Sequence, residues 1–483
     1  MMKKLLTVTL LWVLISPGTY AQNQKTNFIV FLADDVSWND FGCYGNPEVQ
    51  TPNIDKLASN GMMFTNFYLT ASSCSPSRNS ILTGRYPHNT GAAELHTEPP
   101  VDMISFPEVL RNTDYYSVQA GKFHMGRYAR RGFDVIYEDP EVNGDGGEDM
   151  WVTSLKERPK NRPFFMWFAA YDAHREWGPN TFSGTHVPDE INPPFYLSGG
   201  EGTKADLAKY YDEIKRFDFY IGKVIEELEI QNALHNTMII IMADNGRPFP
   251  HSKTRVNDRG MKSPFIIHWP EKVKDKGSIC HSLVSAIDIA PTIMTIARAK
   301  PDDHFQGYSF DQLLTNPDSA FRNVVFAEHN WHDYEAHERM VRNHEYMYIL
   351  NSRPLLAQSG PADAVGSPSY EELEILRDRG NLTPVQADIF AVPRAKEELY
   401  DLHRDSLQLL NVASVPKYEE PLDLMRGILK EWMLETSDNI PEHLTKDWYL
   451  KEAGYIKTPF YEVRGEMPGA RLKATQNHNK GKF

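Results

Sequence analysis

The sequence predicts an α/β protein: a large, mixed but mostly parallel sheet sandwiched by helices, followed by a smaller α+β part with a short antiparallel sheet. Two observations carry this. Short apolar runs alternate with helical patterns through the first 300 or so residues, and the texture changes after about residue 320. The runs Phe28–Ala33, Pro163–Ala170 and Met238–Ala243 are continuously apolar, as strands buried on both faces must be. Between the last two, Leu207, Tyr211, Ile214, Phe217, Ile221, Val224 and Leu228 recur at helical spacing, with Thr203 and Asp206 placed as a capping box. Beyond residue 320, Met340–Leu350 and Glu398–Leu402 read as short strands, and a helix runs from about Leu422 to Leu434. Ser359–Pro393, rich in Pro, Gly and charge, reads as a long excursion. The last fifteen residues are polar and basic and read as a loose tail.

With 483 residues the chain exceeds one ordinary core, so two domains are expected, 22–325 and a smaller 326–483. Residues 1–21 read as a signal peptide: Lys3 and Lys4 are basic, Leu5–Ile15 is apolar but short, and Thr19-Tyr20-Ala21 suits cleavage. Nothing later approaches the roughly 20 apolar residues of a membrane span, so the expected product is exported, periplasmic or secreted. A net charge of −14 disfavours a nucleic-acid partner, although a locally positive cleft can still take a small anion. Only three cysteines are present, Cys43, Cys74 and Cys280, and an odd count leaves at least one thiol to explain.

Each apolar run ends in a chemically loaded group: Asp34-Asp35, Tyr171-Asp172-Ala173-His174 and Asp244-Asn245-Gly246. Ligands of open α/β sheets sit outside the carboxyl ends of the strands, so these groups should converge. One Asp-Asp pair more often serves a turn. Two acidic strand ends together make an all-oxygen set, Asp34, Asp35, Asp244 and Asn245, suited to calcium or magnesium.

The segment Cys74-Ser75-Pro76-Ser77-Arg78 followed by Leu82-Thr83-Gly84 resembles the sulfatase signature at every fixed position. That resemblance implies an alkaline-phosphatase-like fold, a bound divalent cation (calcium being usual) and oxidation of Cys74 to formylglycine. The oxidation would require a formylglycine-generating or anaerobic sulfatase-maturing enzyme as partner. Pro76 suits a helix start, which places position 74 near a positive dipole end with Arg78 one turn on. The resemblance extends along the chain. Asp34, Asp35, Asp244 and Asn245 match metal ligands, Gly121-Lys122-Phe123-His124 matches a Gly-Lys-x-His segment, His174 matches the histidine facing the leaving group, and Lys253 matches a sulfate-contacting lysine. Asp258–Pro264 and Asp288–Thr292 also fit. Asp244-Asn245-Gly246-x-Pro248-Phe249-Pro250, Leu95-His96 and His332-Asp333 look like the heparan N-sulfatase group. Lys253 stands where that group tends to carry arginine, and Trp177–Pro193 shows no likeness, so N-sulfate specificity does not carry over.

The implied reaction removes sulfate from a sulfated carbohydrate, exo-acting if the second domain closes the pocket. Lys122 and Lys253 would neutralise sulfate oxygens, Arg78 would hold the nucleophile, His174 would protonate the leaving group, and His124 would take the second proton of the hydrated formylglycine. Chain proximity nominates Glu94, His96, Arg175, Trp177, Trp331 and His332 as sugar contacts. Two rivals stand beside this reading: a phosphoester or phosphonate hydrolase of the same superfamily, and a silent glycan-binding homologue whose Cys74 is never oxidised.

Overall fold

Three wholly apolar runs need cover on both faces, and the computed structural model lays them side by side. It describes residues 25–300, 303–358, 360–450, 456–457 and 463–481. The first strands are β1 (Asn27–Ala33), β2 (Met62–Phe64), β3 (Phe67–Tyr68), β4 (Tyr116–Gly121) and β5 (Val135–Tyr137). After them come β6 (Phe164–Ala169), β7 (Thr237–Ala243), β8 (Phe265–His268), β9 (Ser278–Cys280) and β10 (Val284–Ser285). Eight form one sheet in the order β5-β4-β6-β1-β7-β8-β2-β9, while β3 pairs with β10. β1 is parallel to both β6 and β7, and β8 is antiparallel to its neighbours β7 and β2.

Successive side chains of a strand point to opposite faces, and here both faces are core. Phe28, Val30 and Leu32 join one apolar cluster; Ile29, Phe31 and Ala33 join the other. Helix Cys74–Thr83 sends Ile81 and Leu82 to the first face, and the long helix Glu201–Ile230 covers the second with Leu207, Ile214, Phe217 and Leu228. Burial of each such large side chain is worth roughly 1.5–3 kcal/mol, which excludes a charge from either face.

The long helix begins at Glu201, so Thr203 and Asp206 lie inside it and the expected capping box does not form. Its free N–H groups at Gly202 and Thr203 donate instead to the Glu372 carboxylate at 2.7 and 3.2 Å, a negative charge at the positive helix end.

Glu372 comes from the segment expected to be an irregular excursion, which is in fact helical: Ala362–Val365, Pro368–Asp378 and Pro384–Ala387. Its prolines open helices at the first helical position, after Ser367 and Thr383 as N-caps. Tyr370, Leu373 and Ile389 form its small apolar core.

The second sheet, β11 (Val325–His329), β12 (Glu338–Arg342), β13 (Tyr346–Asn351) and β14 (Glu397–Asp401), is antiparallel throughout. Phe326, Val341 and Leu399 pack beneath helix Glu419–Glu435, whereas Val325, Ala327, Met340 and Met347 join the main cluster. The two sheets therefore share one core, and position 325, the last of the expected larger domain, is the first residue of β11.

The C-terminal tail is docked and not loose. Buried Arg85 has no carboxylate partner among the described residues, and satisfies its guanidinium on the carbonyls of Asn89, His304, Thr475 and Asn477. The expected signal peptide lies outside the described residues, within which no helix is long and apolar enough to cross a membrane.

Candidate active site

Because β1 and β7 are adjacent and parallel, with Ala33 opposite Ala243, their carboxyl ends deliver Asp34-Asp35 and Asp244-Asn245 to one place. Asp35 adopts the left-handed region (φ 63°), and its N–H donates to Asp244 Oδ1 at 3.2 Å. All four side chains are buried. β6 ends beside them: Asp34 N donates to Asp172 O at 2.7 Å, and His174 follows two residues on. Cys74 is the first residue of its helix, with Ser73 as N-cap and Pro76 in the first turn. Its Sγ lies 3.6 Å from Asp34 Oδ1 and 3.9 Å from Asp35 Oδ1. Groups spread over more than 200 residues of chain thus converge.

Three cations meet the carboxylates. Arg78 Nε donates to Asp244 Oδ2 at 2.7 Å, and its Nη1 donates to Lys122 O at 2.9 Å. Lys122 donates to Asp34, and Lys253 Nζ donates to Asp35 at 2.7 Å and to Asp363 at 2.8 Å. Burial raises the Asp34 pKa, but Lys122 and Arg78 outweigh it and hold this carboxyl well below its usual range. Asp244 is pushed up to about 7 by burial and then by the charge of Asp34. A buried carboxyl raised this way is one that another positive charge would keep ionised. Asn245 adds the decisive detail. Its Nδ2 donates to Asp35 and to Gly246 O, whereas its Oδ1 is buried with no partner among the described residues. An orphaned amide oxygen beside three buried carboxylates fits a hard divalent cation.

Burial pushes the Cys74 thiol well above its ordinary pKa, with Lys122 and Lys253 pulling the other way, so the unmodified thiol is a poor source of thiolate. Cys43, Cys74 and Cys280 are all free.

Two histidines flank the centre. His174 Nε2 lies 3.9 Å from Asp35 and 3.8 Å from Asp363, and its Nδ1 contacts Arg175 O. About a third of the His174 side chain is exposed (35%), at a cleft of roughly 600 Å³ lined also by Lys122, Tyr171, Arg175 and Arg216. His124 Nε2 is 3.0 Å from His96 Nδ1; burial, and then Lys122, lower its pKa well below the ordinary value.

The remaining expected sugar contacts divide. Leu95 and Trp331 pack on Cys74, joined by Trp448, and leave the thiol residue only 2% exposed. Trp331 is fixed by Nε1 to Lys446 O at 2.7 Å and stacked by Arg464 at 4.3 Å. Glu94 accepts from Thr445 Oγ1 at 2.7 Å and Arg464 Nη1 at 3.5 Å, with Oε1 left without a partner among the described residues. His332 shares a 2.7 Å hydrogen bond with Ser73 Oγ, at the start of the helix Cys74–Thr83. Arg175 forks onto Asp206 at 2.7 and 2.8 Å, donates to Pro248 O, and lies over the rings of Trp177 and Phe249. Trp177 donates to Ala173 O and stacks on Phe249. Arg175 therefore frames the cleft with a committed guanidinium, and Trp177 braces that wall.

Asp363, on the short helix Ala362–Val365, is the site residue that sequence reasoning missed; nothing local marks it, since its partner Lys253 lies 110 positions away. Arg464 and Thr445, which hold Glu94, were missed for the same reason.

Residues 26–299, more than half of the chain, match the family model described as Sulfatase, and residues 251–350 match that of the N-sulphoglucosamine sulphohydrolase C-terminal region. An ulvan-active sulfatase of Formosa agariphila is 29% identical over 462 residues, covering 83% of this chain and 75% of its own. Human N-sulphoglucosamine sulphohydrolase is 28% identical over 465 residues, covering 85% and 90%. A solved structure in complex with its substrate D-glucosamine-2-N,6-O-disulfate superposes with a TM-score of 0.67 at 20% identity, over 85% of this chain and 98% of that one, and so shares the fold. The acids of two neighbouring strands, the cysteine they surround and the extent of these matches agree: this chain belongs to the sulfatase family.

Proposed function

We propose that the protein hydrolyses sulfate from the terminal residue of a sulfated carbohydrate. The nucleophile would derive from Cys74 as formylglycine, and calcium would be held by Asp34, Asp35, Asp244 and Asn245. The observation that carries this is the 3.6 Å approach of Cys74 Sγ to Asp34 inside a ring of acids and cations. When present, formylglycine supplies an aldehyde hydrate that can both accept and release sulfate, and the cation supplies Lewis-acid polarisation of the sulfate oxygens.

The chain's own residues do the rest. Lys122 and Lys253, both held against the acids beside position 74, neutralise sulfate charge. Arg78 balances Asp244 and keeps the first turn of the nucleophile helix in place. His174, at the cleft, gives a proton to the departing sugar oxygen or nitrogen, while Asp363 orients it together with Lys253. His124, kept neutral by burial and by Lys122, accepts the proton whose removal expels sulfate. The cover of Leu95, Trp331 and Trp448 over Cys74 favours exo action. The named activities of the two curated relatives support a sulfated glycan, with N- and O-linked sulfate both represented in the solved neighbour's ligand. We place the catalytic unit in 22–325 and assign 326–483 to completing the pocket. Export through residues 1–21 and maturation by a formylglycine-forming enzyme complete the reading.

Sulfate release from N- and O-sulfated glucosamine, galactosamine and galactose, measured beside the matched phosphate esters, tests it. Release from at least one sulfated sugar should exceed its phosphate counterpart by about 100-fold or more. Equal or faster phosphate release would contradict it.

A further inference from the structure

A second cavity, of about 540 Å³, shares no lining residue with the catalytic cleft. It is built on the continuation of the same two loops. Ser37, two residues past Asp35, accepts from the N–H of Arg247, two residues past Asn245, at 3.0 Å; its hydroxyl donates to Arg259 O at 3.3 Å. Four cations line the cavity, Arg247, Arg259, Lys262 and Arg342, against two carboxylates, Glu48 and Asp258. In a chain of net charge −14 that local surplus is unusual.

Two of the four cations are spent and two are not. Arg247 Nη2 is balanced by Asp40 at 2.5 Å, and Arg342 Nη1 lies 3.5 Å from Asp258. Arg259 and Lys262 have no carboxylate partner among the described residues: Arg259 Nη1 donates to Leu407 O, and the Lys262 ammonium lies 4.2 Å over the Trp38 ring. Arg247 Nε and Nη1, Arg259 Nε and Arg342 Nε are buried with no hydrogen-bond acceptor among the described residues. Arg247 is itself only 1% exposed. Buried donors of this kind are normally satisfied, and these four belong to cations that line one cavity, which marks the wall as rich in positive charge. Burial lowers the pKa of Lys262 against the opposing charge of Asp258, and burial together with Arg255 lowers that of Arg259. Trp38 and Tyr196 add aromatic faces to the same lining.

We propose that this cavity binds a carboxylate or sulfate group carried on a sugar ring, as a second anionic-saccharide site separate from the catalytic centre. Arg259 and Lys262, the two lining cations without a carboxylate partner among the described residues, take the anion, and Trp38 takes the apolar face of the ring. The site does not depend on turnover at Cys74. A chain bearing regularly spaced anionic residues could then be held while its end is processed, and the product end would stay near the enzyme.

Calorimetric titration of the full-length mature protein with sodium glucuronate, glucose and sodium sulfate tests this, because glucuronate carries no sulfate ester and reports on binding alone. Glucuronate should bind at least tenfold tighter than glucose. Lys262→Met, which keeps the stem without the charge, should weaken glucuronate at least tenfold, with thermal melting confirming a folded protein. Lys262→Arg should restore binding. Trp38→Leu should weaken glucuronate about fivefold while leaving free sulfate unchanged. Binding unaffected by both Lys262→Met and Trp38→Leu would overturn the assignment, as would equal affinity for glucose. Free sulfate binding as tightly as glucuronate, with Trp38→Leu weakening neither, would also overturn it in favour of a simple anion site.

Discussion

Two acids hold the same lysine from opposite ends of the chain. Asp35 reaches Lys253 Nζ at 2.7 Å from the end of a doubly buried strand; Asp363 reaches it at 2.8 Å from a four-residue helix of the C-terminal part. Asp35 belongs to a crowd of acids that needs cations to exist at all. Asp363 stands on the side of His174, where it can orient Lys253 and the proposed proton donor without belonging to the proposed metal set. In the proposed reading the first region carries charge balance and the reaction centre, and the second carries positioning.

Substitutions should separate these roles, the largest effect first. Cys74→Ala removes the proposed nucleophile and should lower turnover by about 10⁴-fold or more, with the unfolding midpoint within a few degrees of wild type. Asp244→Ala deprives buried Arg78 of its closest partner and should cost about 3–5 kcal/mol in denaturant unfolding as well as activity, since one charge of a buried pair is left uncompensated. Asp363→Asn should change stability by no more than about 1 kcal/mol. It should slow hydrolysis of a sugar sulfate about 10–100-fold but that of an activated aryl sulfate far less, because a good leaving group needs no well-placed acid. Equal losses on both substrates would remove the distinction between the two regions. Asp363→Glu should recover part of the lost rate.

An effect on stability alone concerns the junction of the sheets. Glu328 on β11 accepts from the N–H of His88 at 3.1 Å and lies near Arg339. Burial raises its pKa, but His88 and Arg339 overcome this and lower it to about 2. A depressed folded-state pKa contributes stability above the unfolded value of 4.5, lost as pH falls toward about 2. Unfolding free energy should thus fall between pH 5 and 3, and Glu328→Gln should flatten that slope by an amount on the order of 1–3 kcal/mol.

The legible parts of this molecule are those with a strong local cause. β1, β6 and β7 could be read because an uninterrupted apolar run has nowhere to go except a strand covered on both faces, and the strand-end rule then named Asp34, Asp35, Asp244 and Asn245. Position 74 was readable from its own segment. What could not be read depends on partners distant in sequence. Asp206 looked like a helix cap because its actual partner, Arg175, lies across the fold. The cap was Glu372, 169 residues from Thr203. Arg85 gives no local sign that it needs the carbonyls of Thr475 and Asn477, so the tail looked free. Chain order nominated His332 as a sugar contact, and its ring meets Ser73 of the protein itself.

The central claim is that Cys74 becomes the nucleophile inside this ring of charges. Its most direct test is the mass of the tryptic peptide Leu57–Arg78 from protein made together with a formylglycine-forming enzyme, read alongside sulfate release by the same preparation. The account predicts a peptide about 18 Da lighter than the cysteine form, with activity rising in proportion to that fraction. Full activity in a preparation whose peptide retains an unmodified thiol would contradict it.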